Sequence, residues 1–174
     1  APQEIATLLQ TILARARDLL QAKGGGIFLY DASREEVELV IAERCPAQVG
    51  IRLKLGEGAG GYVAQSRQPL IVNDYHTWAP RSPQLEGLSG TSLLAVPMIY
   101  SGDLIGVIVV VETDKTRTFT EADARLLSLF AAQAASAVSN ARLLDETRQR
   151  ADQGEISESR LRALMESAPV CPQK

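Results

Sequence analysis

Four glycines give this sequence its nearest match to a nucleotide-binding motif. They are Gly56, Gly58, Gly60 and Gly61. With Asp74 they fit G-x-G-x-x-G followed by an acid about 20 residues later, the pattern of a dinucleotide site. Such a site needs the loop to open a long crossover helix in a parallel βαβ unit, but Pro69 ends the helix early. No Lys-Ser or Lys-Thr pair follows, as a P-loop requires. We therefore interpret the glycines as a tight bend between a strand and a short helix.

The remaining reactive side chains do not form a recognisable catalytic set. Cys45 and Cys171 lie too far apart in the sequence for a disulfide framework or a zinc set, and Cys45 has no resolving cysteine nearby. His76, the only histidine, is either a haem ligand or a solvated loop residue. Three acids lack a partner at a spacing suited to general acid–base chemistry and are interpreted as surface residues: Glu57, Asp74 and Glu86.

Composition places the chain among ordinary globular proteins. Its 174 residues are 45% hydrophobic and 22% charged, with a net charge of −3, which fits one domain and an appendage. The absence of a basic block argues against binding to nucleic acid or to an anionic membrane. The longest apolar run, Leu104–Val111, is far shorter than the roughly 18 residues that span a bilayer. We expect a cytoplasmic location, either for a free protein or for the cytoplasmic part of a membrane protein.

Hydrophobic periodicity predicts an α+β fold. Apolar residues at helical spacing indicate an amphipathic helix over the first twenty residues, which Gly24–Gly26 should end. Strands joined mainly by hairpins and short links follow. They are Ile27–Tyr30, Val37–Ile41, Ile51–Leu55, Leu70–Val72, Ser92–Tyr100 and Leu104–Glu112. We expect a central, mainly antiparallel sheet of five to six strands, with the N- and C-terminal helices on one face and a pocket segment on the other.

The irregular segment Tyr75–Thr91 is the predicted pocket segment, because it carries prolines and glycines on an otherwise regular scaffold. A short helix is expected around Gln84–Leu88. Trp78 either stacks on a planar ligand or packs on the core. The candidate ligand-binding residues, chosen by position on this segment and on one strand face, are Tyr62, Asp74, Tyr75, Trp78, Leu85, Leu88, Ser92, Leu94 and Met98.

A long helix is predicted to begin after Thr120, an N-cap residue followed by acids. Residues spaced by four and three along it form an a/d-like seam. Gly154 is expected to interrupt the helix or to mark a junction. The seam packs either on the N-terminal helix or in a four-helix interface of a homodimer, which the length of the helix favours. The predicted interface residues are Leu126, Phe130, Ala134, Ala137, Ala141 and Leu144.

Taken together, several segments resemble the GAF domain, a ligand-binding and dimerising module of signalling proteins. Leu55–Ala64 with Gln68–Asp74 is similar to its central segment, and Ser92–Met98 with Gly102–Ile108 is similar to its last hairpin. Its closing helix is matched by Phe119–Leu127 and Ala137–Leu143. The resemblance covers about residues 3–148, so we predict a GAF domain over residues 1–148. The remainder, 149–174, is expected to be a linker helix and the start of a PAS-like domain, since Ser159–Pro169 resembles a PAS entry helix.

This resemblance implies a sensory module, not itself an enzyme, from a longer signal-transduction protein such as a bacterial two-component sensor histidine kinase or a diguanylate cyclase. It would bind a small molecule or relay a signal through a parallel, coiled-coil-like dimer. The cyclic-nucleotide pattern of the family is only partly present, since Asp114 and Ala124 depart from it while Lys115, Phe119 and Asp123 match. Lys115 and Asp123 are instead expected to form an ion pair.

Other members of the family suggest further alternatives. The pocket segment has no cysteine to attach a bilin. The GAF-fold methionine sulfoxide reductases rely on catalytic cysteines near the pocket, whereas Cys45 is the only cysteine within the predicted domain. A structural spacer whose pocket is filled by its own side chains is a third possibility. The sequence identifies neither a ligand nor a cofactor.

Overall fold

The fold is a six-stranded antiparallel sheet with helices on both faces, as expected for the α+β class. A computed structural model describes residues 3–88, 91–114 and 117–166, without the side chains of residues 86–88. The strands are β1 Gly24–Asp31, β2 Glu36–Glu43, β3 Arg52–Lys54, β4 Leu70–Val72, β5 Ser92–Tyr100 and β6 Asp103–Glu112. Their order is β3-β2-β1-β6-β5-β4. The helices are α1 Gln3–Leu20, α2 Gly58–Ser66, a 3₁₀ helix over Pro83–Leu88, and α3 Glu121–Glu166.

The sheet separates two hydrophobic clusters. On one face, which we call the helix face, α1 and α3 pack against residues such as Ile27 of β1 and Ile108 of β6. On the other face, the pocket face, α2 and the segment after β4 pack against residues such as Phe28 and Val107. Neighbouring strand residues point to opposite faces, so every strand except β3 contributes to both clusters.

Glycines 24–26 belong to β1 and do not end α1, as the sequence had suggested. The helix ends at Leu20, and Gln21 adopts the left-handed conformation with φ of 52°. Gly25 pairs with Glu43 of β2 and with Val110 of β6. The prediction failed because glycine is also used where a central strand lies close to its neighbours.

The glycine-rich stretch is a tight bend, as predicted, but α2 begins inside it. Gly58 is the first residue of α2 and has φ of +63°. A Cβ atom on Gly61 would lie 2.1 Å from the carbonyl oxygen of Lys54, so this position requires glycine. The nine-residue α2 connects antiparallel strands. The described geometry is therefore not that of a dinucleotide-binding βαβ unit.

The start of α3 confirms the N-terminal signal at Thr120. The Thr120 hydroxyl oxygen accepts a hydrogen bond from the Asp123 amide at 3.3 Å, and an Asp123 carboxylate oxygen accepts one from the Thr120 amide at 2.9 Å. This reciprocal pair is a capping box with aspartate in the third position. Lys115, the expected ion-pair partner of Asp123, lies outside the described residues.

The interruption of α3 expected at Gly154 is not present, since the helix continues to Glu166. The chain divides into two compact units, Ala1–Ser139 and Asn140–Lys174. The first contains the sheet, and the second contains the later part of α3. The part of the PAS-like segment after residue 166 lies outside the described residues.

Candidate functional site

A small apolar cavity lies on the pocket face of the sheet, next to Leu85, the last residue of the segment Tyr75–Leu85, which we call the lid. Its volume is about 20 Å³, close to the space that a single water molecule requires. The lining is almost wholly aliphatic or aromatic, and its residues are Gly26, Phe28, Leu39, Cys45, Ala47, Ala59, Gly60, Leu85, Leu93, Val109 and Val111. In the described state the protein's own side chains therefore nearly fill the site.

Cys45 is the one lining residue with a reactive atom. Burial raises the pKa of its thiol, although a hydrogen bond from the backbone of Ala47 acts in the opposite direction. A raised pKa reduces the thiolate fraction, and the thiolate is the nucleophilic form. The arrangement does not activate Cys45 for redox or nucleophilic chemistry.

Tyr75 anchors the start of the lid to the core. Its side chain is only 1% exposed, and its hydroxyl oxygen accepts a hydrogen bond of 3.0 Å from the amide of Ser82. Its own amide donates to the carbonyl oxygen of Thr91 at 2.9 Å. Burial raises the pKa of Tyr75, so the phenol remains protonated at neutral pH. Tyr75 therefore fixes both the lid and the residue that precedes β5.

Trp78 packs between two tyrosines at the rim of the lid. Its ring centroid lies 5.7 Å from that of Tyr75 and 5.4 Å from that of Tyr62, the latter in an edge-to-face arrangement. Tyr62 is 37% exposed. Of the two alternatives for Trp78, packing on the core is the one seen in the described state.

Glu57 joins the glycine bend to the lid. One carboxylate oxygen accepts hydrogen bonds from the Ser82 hydroxyl at 2.8 Å and from Gln84 Nε2 at 3.4 Å. The other oxygen accepts from the Lys54 amide at 3.1 Å. Partial burial acts to raise the pKa of Glu57, but the hydrogen bonds from Lys54, Ser82 and Gln84 together lower it. The ionised carboxylate is therefore the form that holds these groups together.

Ser82 is the lid residue on which these contacts converge. It is 1% exposed, and its hydroxyl oxygen accepts a hydrogen bond from the Gln84 amide at 3.2 Å. With Pro83 in the following position, it has the features of an N-cap residue for the 3₁₀ helix. Nearby, the Gly58 amide donates to the carbonyl oxygen of Pro80 at 2.7 Å. The lid is thus held by polar contacts as well as by apolar packing.

The structure brings some of the predicted pocket residues together and separates others. Tyr75, Trp78 and Leu85 belong to the pocket-face cluster. Leu94 and Met98 belong to the helix-face cluster, so they do not line this cavity. The prediction placed the wrong set of alternating β5 residues on the pocket face, where the structure has Leu93 and Ala95.

The other predicted pocket residues have different surroundings. Asp74 is exposed and accepts a hydrogen bond of 3.0 Å from the His76 amide, which makes it a turn residue. His76 is exposed on the lid. Ser92 is buried at the start of β5, and the side chain of Leu88 lies outside the described residues. Within the described part of the chain, no group of three or more His, Cys, Asp and Glu side chains is placed to hold a metal ion.

Sequence reasoning missed the lid contacts of Glu57 and Ser82, which are 25 residues apart in the chain. Glu57 was interpreted as a surface acid because no partner stood at a recognisable spacing. The Ser-Pro pair at the start of the expected short helix was the available signal. It indicates a cap, but it does not indicate which distant acid the hydroxyl contacts.

The predicted interface residues of α3 do not all lie on one free face. Ala134 is 0% exposed within the helix-face cluster, so its assignment to a dimer seam is corrected. Leu126 and Phe130 also pack against that cluster. Ala137 and Ala141 are partly exposed, whereas Leu144 is 59% exposed. At Ala134 the a/d spacing reflects packing of α3 against the helix-face cluster of the same chain.

The comparisons of this chain with known sequences and structures agree on one family. The GAF domain family model matches residues 2–139. The GAF domain of a phosphoenolpyruvate-protein phosphotransferase from Coxiella burnetii is similar, with a TM-score of 0.73 and 25% identity over 84% of this chain and 89% of that one. The GAF-B domain of DevS from Mycobacterium smegmatis has a TM-score of 0.66 and 26% identity, covering 82% and 98% of the respective chains.

A curated relative is much longer than this chain. Dual 3',5'-cyclic-AMP and -GMP phosphodiesterase 11 from Drosophila melanogaster is 26% identical over 163 residues, which cover 83% of this chain. The chain spans only 11% of that protein. Among the described helices, none is long and apolar enough to cross a membrane.

Proposed function

Because the chain belongs to the GAF domain family, a family of regulatory and sensory modules found in signalling proteins, we propose that it is the dimerising relay module of a larger signalling protein. In this proposal, α3 carries a change of state from the GAF domain to a downstream output region. A histidine kinase of the two-component type, reached through a PAS-like domain, is the output that we propose from the order of the segments. A cytoplasmic location belongs to the same proposal.

The observation that carries the proposal is the exposed apolar content of the later part of α3. Every residue from 142 to 166 is exposed, and six of them are large and apolar: Leu143, Leu144, Ile156, Leu161, Leu164 and Met165. A helical segment that exposes several large apolar side chains is typical of a helix that packs against another helix in an oligomer. A second copy of the same helix is the partner that we propose.

Sedimentation equilibrium of the full chain tests this proposal. We expect a dimer whose dissociation constant rises at least about tenfold with the double change Leu144→Glu and Leu161→Glu, because two apolar side chains that are exposed in the single chain and buried in the proposed dimer would become charged. Ser157→Glu, on an exposed position of the same segment, is the matched control. The proposal would be overturned if the chain remains monomeric throughout the concentration range, or if the double change leaves the dissociation constant of the dimer unaltered.

The second candidate is a GAF domain that binds a small molecule beneath the lid. The polar contacts of Glu57 with Ser82 and Gln84 support it, because they can open without unpacking the helix face. The small cavity argues against a ligand of nucleotide size in the described state. Mass spectrometry and an absorption spectrum of the purified protein distinguish the two candidates. A retained metabolite or a coloured cofactor would favour binding, and their absence would favour the relay module.

We do not propose a redox enzyme. The burial that raises the pKa of Cys45 opposes thiolate formation. An assay for methionine sulfoxide reduction tests this choice, since activity that disappears with Cys45→Ser would reverse it.

A further inference from the structure

Buried polar residues are concentrated at two places in the described structure, and only one of them is in the lid. The described residues that are polar or charged and buried are Ser82, Thr91, Ser92 and Glu112. Ser82 belongs to the lid. Ser92 and Glu112 pair across β5 and β6, and Thr91 precedes Ser92. The buried polar groups at the start of β5 therefore call for an explanation beyond packing, since burial of polar groups is costly.

Arg117 is the residue that connects this second group. Its carbonyl oxygen accepts a hydrogen bond of 3.1 Å from the Ser92 hydroxyl. Its guanidinium group lies 4.0 Å from a carboxylate oxygen of Glu112, and the other Glu112 oxygen accepts from the Asp114 amide at 3.1 Å. We call Ser92, Glu112 and Arg117 the polar junction.

The same guanidinium group also caps the end of α1. It donates to the carbonyl oxygens of Leu20 and Gln21, which are among the groups that a helix leaves unsatisfied at its C-terminus. A cation at this end also interacts favourably with the helix dipole. Arg117 therefore ties the C-terminal end of α1 to the polar junction.

A third contact of Arg117 leads toward α3. Its guanidinium carbon lies 5.4 Å from the ring centroid of Phe119, within the range of a cation–π interaction. Phe119 is 4% exposed and belongs to the helix-face cluster, together with Ala124 and Leu127 of α3. One side chain thus contacts the groups that position both helices.

The lid reaches this junction through a short path. The Tyr75 amide donates to the carbonyl oxygen of Thr91 at 2.9 Å, and Ser92 is the next residue. We infer that Arg117 is a coupling residue: displacement of the lid shifts the start of β5, and the polar junction passes that shift to the end of α1 and the start of α3. This inference rests on the proposed relay function and names the residue through which the relay acts.

Contiguity alone does not establish coupling, so the test must measure a response at one end to a change at the other. Glu57→Gln in the full chain weakens the lid contacts. The readout is hydrogen–deuterium exchange at the amides of Gln21 and Ala22, which donate to Asp18 and Arg17 at the end of α1. We expect exchange there to become about fivefold faster, a typical size for coupling between sites.

The response should disappear when Arg117 is replaced by methionine, which retains an apolar side chain without the guanidinium group. Arg17→Met is the matched control, because Arg17 binds α1 to Glu43 of β2 at 2.5 Å without contacting the junction. In the Arg17→Met background the fivefold response to Glu57→Gln should persist. By reciprocity, Arg117→Met alone should speed exchange of the Tyr75 amide, whereas Arg17→Met should not.

Three results would overturn the inference: no response to Glu57→Gln in the wild-type background, a response that persists with Arg117→Met, or equal losses with Arg117→Met and Arg17→Met. If Arg117→Met does not fold, Arg117→Lys replaces it, since one ammonium group lacks the planar fork that reaches two carbonyl oxygens. The lysine variant should reduce the response by at least about half on that ground; an undiminished response would overturn the inference. Oligomeric state is measured separately, so loss of the dimer with an intact exchange response would reject only the proposed function.

Discussion

The hydroxyl of Ser82 donates a hydrogen bond of 2.8 Å to the carboxylate of Glu57, and this bond joins the lid to the bend that opens α2. Gln84 adds a second donor from the lid, while the Lys54 amide binds the other oxygen from the side of the bend. The carboxylate is thus shared between two segments that meet only in the folded chain. The contribution of the Glu57 side chain and the contribution of its charge can be measured separately.

Replacing Glu57 by alanine should loosen the lid. We expect the free energy of unfolding to fall by about 1 kcal/mol, since hydrogen bonds to a charged but partly solvated group are lost. The emission of Trp78, the only tryptophan, should shift to longer wavelength as its ring becomes more exposed. Urea titration followed by fluorescence measures both effects. Glu146→Ala, at an exposed site of α3, should change neither, and equal effects of the two variants would contradict this role for Glu57.

The contribution of Glu57 should also depend on pH. Its pKa is lowered in the folded protein from a usual value of 4.5, so its contribution is complete above that value and is lost as pH falls through the lower, folded-state pKa. The difference in stability between wild type and Glu57→Gln should therefore shrink below about pH 4.5. Taking this difference removes the effect of other acids, such as Asp31, whose pKa is also lowered. A difference that stays constant down to pH 3 would contradict the prediction.

Gly61 and Gly154 offer a matched pair of glycine-to-alanine changes within α2 and α3. Gly61→Ala should destabilise the protein by about 3 kcal/mol, as in severe overpacking, because the new Cβ would lie 2.1 Å from the Lys54 carbonyl oxygen. At Gly154 no described atom apart from the chain neighbours and the nearby backbone of α3 lies within 4 Å of the corresponding position, so alanine should favour the helix by about 1 kcal/mol. Thermal unfolding followed by circular dichroism measures both. A neutral Gly61→Ala would show that the bend can relax.

Leu85 should control access to Cys45. Leu85→Ala, at a position 5% exposed in the cavity lining, should cost about 2–3 kcal/mol and speed the reaction of Cys45 with a thiol reagent. The measurement uses a Cys171→Ser background, so that only Cys45 reacts. Leu94→Ala, on the helix face, should cost a similar amount without the same rise in reactivity. Equal rates in the two variants would indicate global opening.

Local patterns predicted the elements of this fold well, because the information lies in neighbouring residues. The bounds of β4 and β5 were predicted correctly from the sequence. Pro97, a residue type that is uncommon inside strands, lies in β5 beyond the residues that pair with β4. Its missing amide proton therefore removes no hydrogen bond to that strand. The N-cap at Thr120 was likewise a signal local to one turn.

The arrangement of the site depended on information that is not local. Periodicity in β5 shows that Leu93 and Leu94 face opposite ways, but both residues are apolar and both are 0% exposed. The sequence therefore does not reveal which of them points to the cavity. The same limit applies to Glu57 and Ser82, and to Arg117 and the end of α1, whose contacts join distant segments.

The outermost strands of the sheet, β3 and β4, have three residues each. A sheet whose edges are this short offers little unpaired backbone to a neighbouring molecule. Arg52 and Lys54 add charge along one edge, and Pro69 stands immediately before the other. Short strands, charge and proline at the edges are devices that oppose edge-to-edge pairing between copies of a domain, so they favour a protein in which several such domains are held close together.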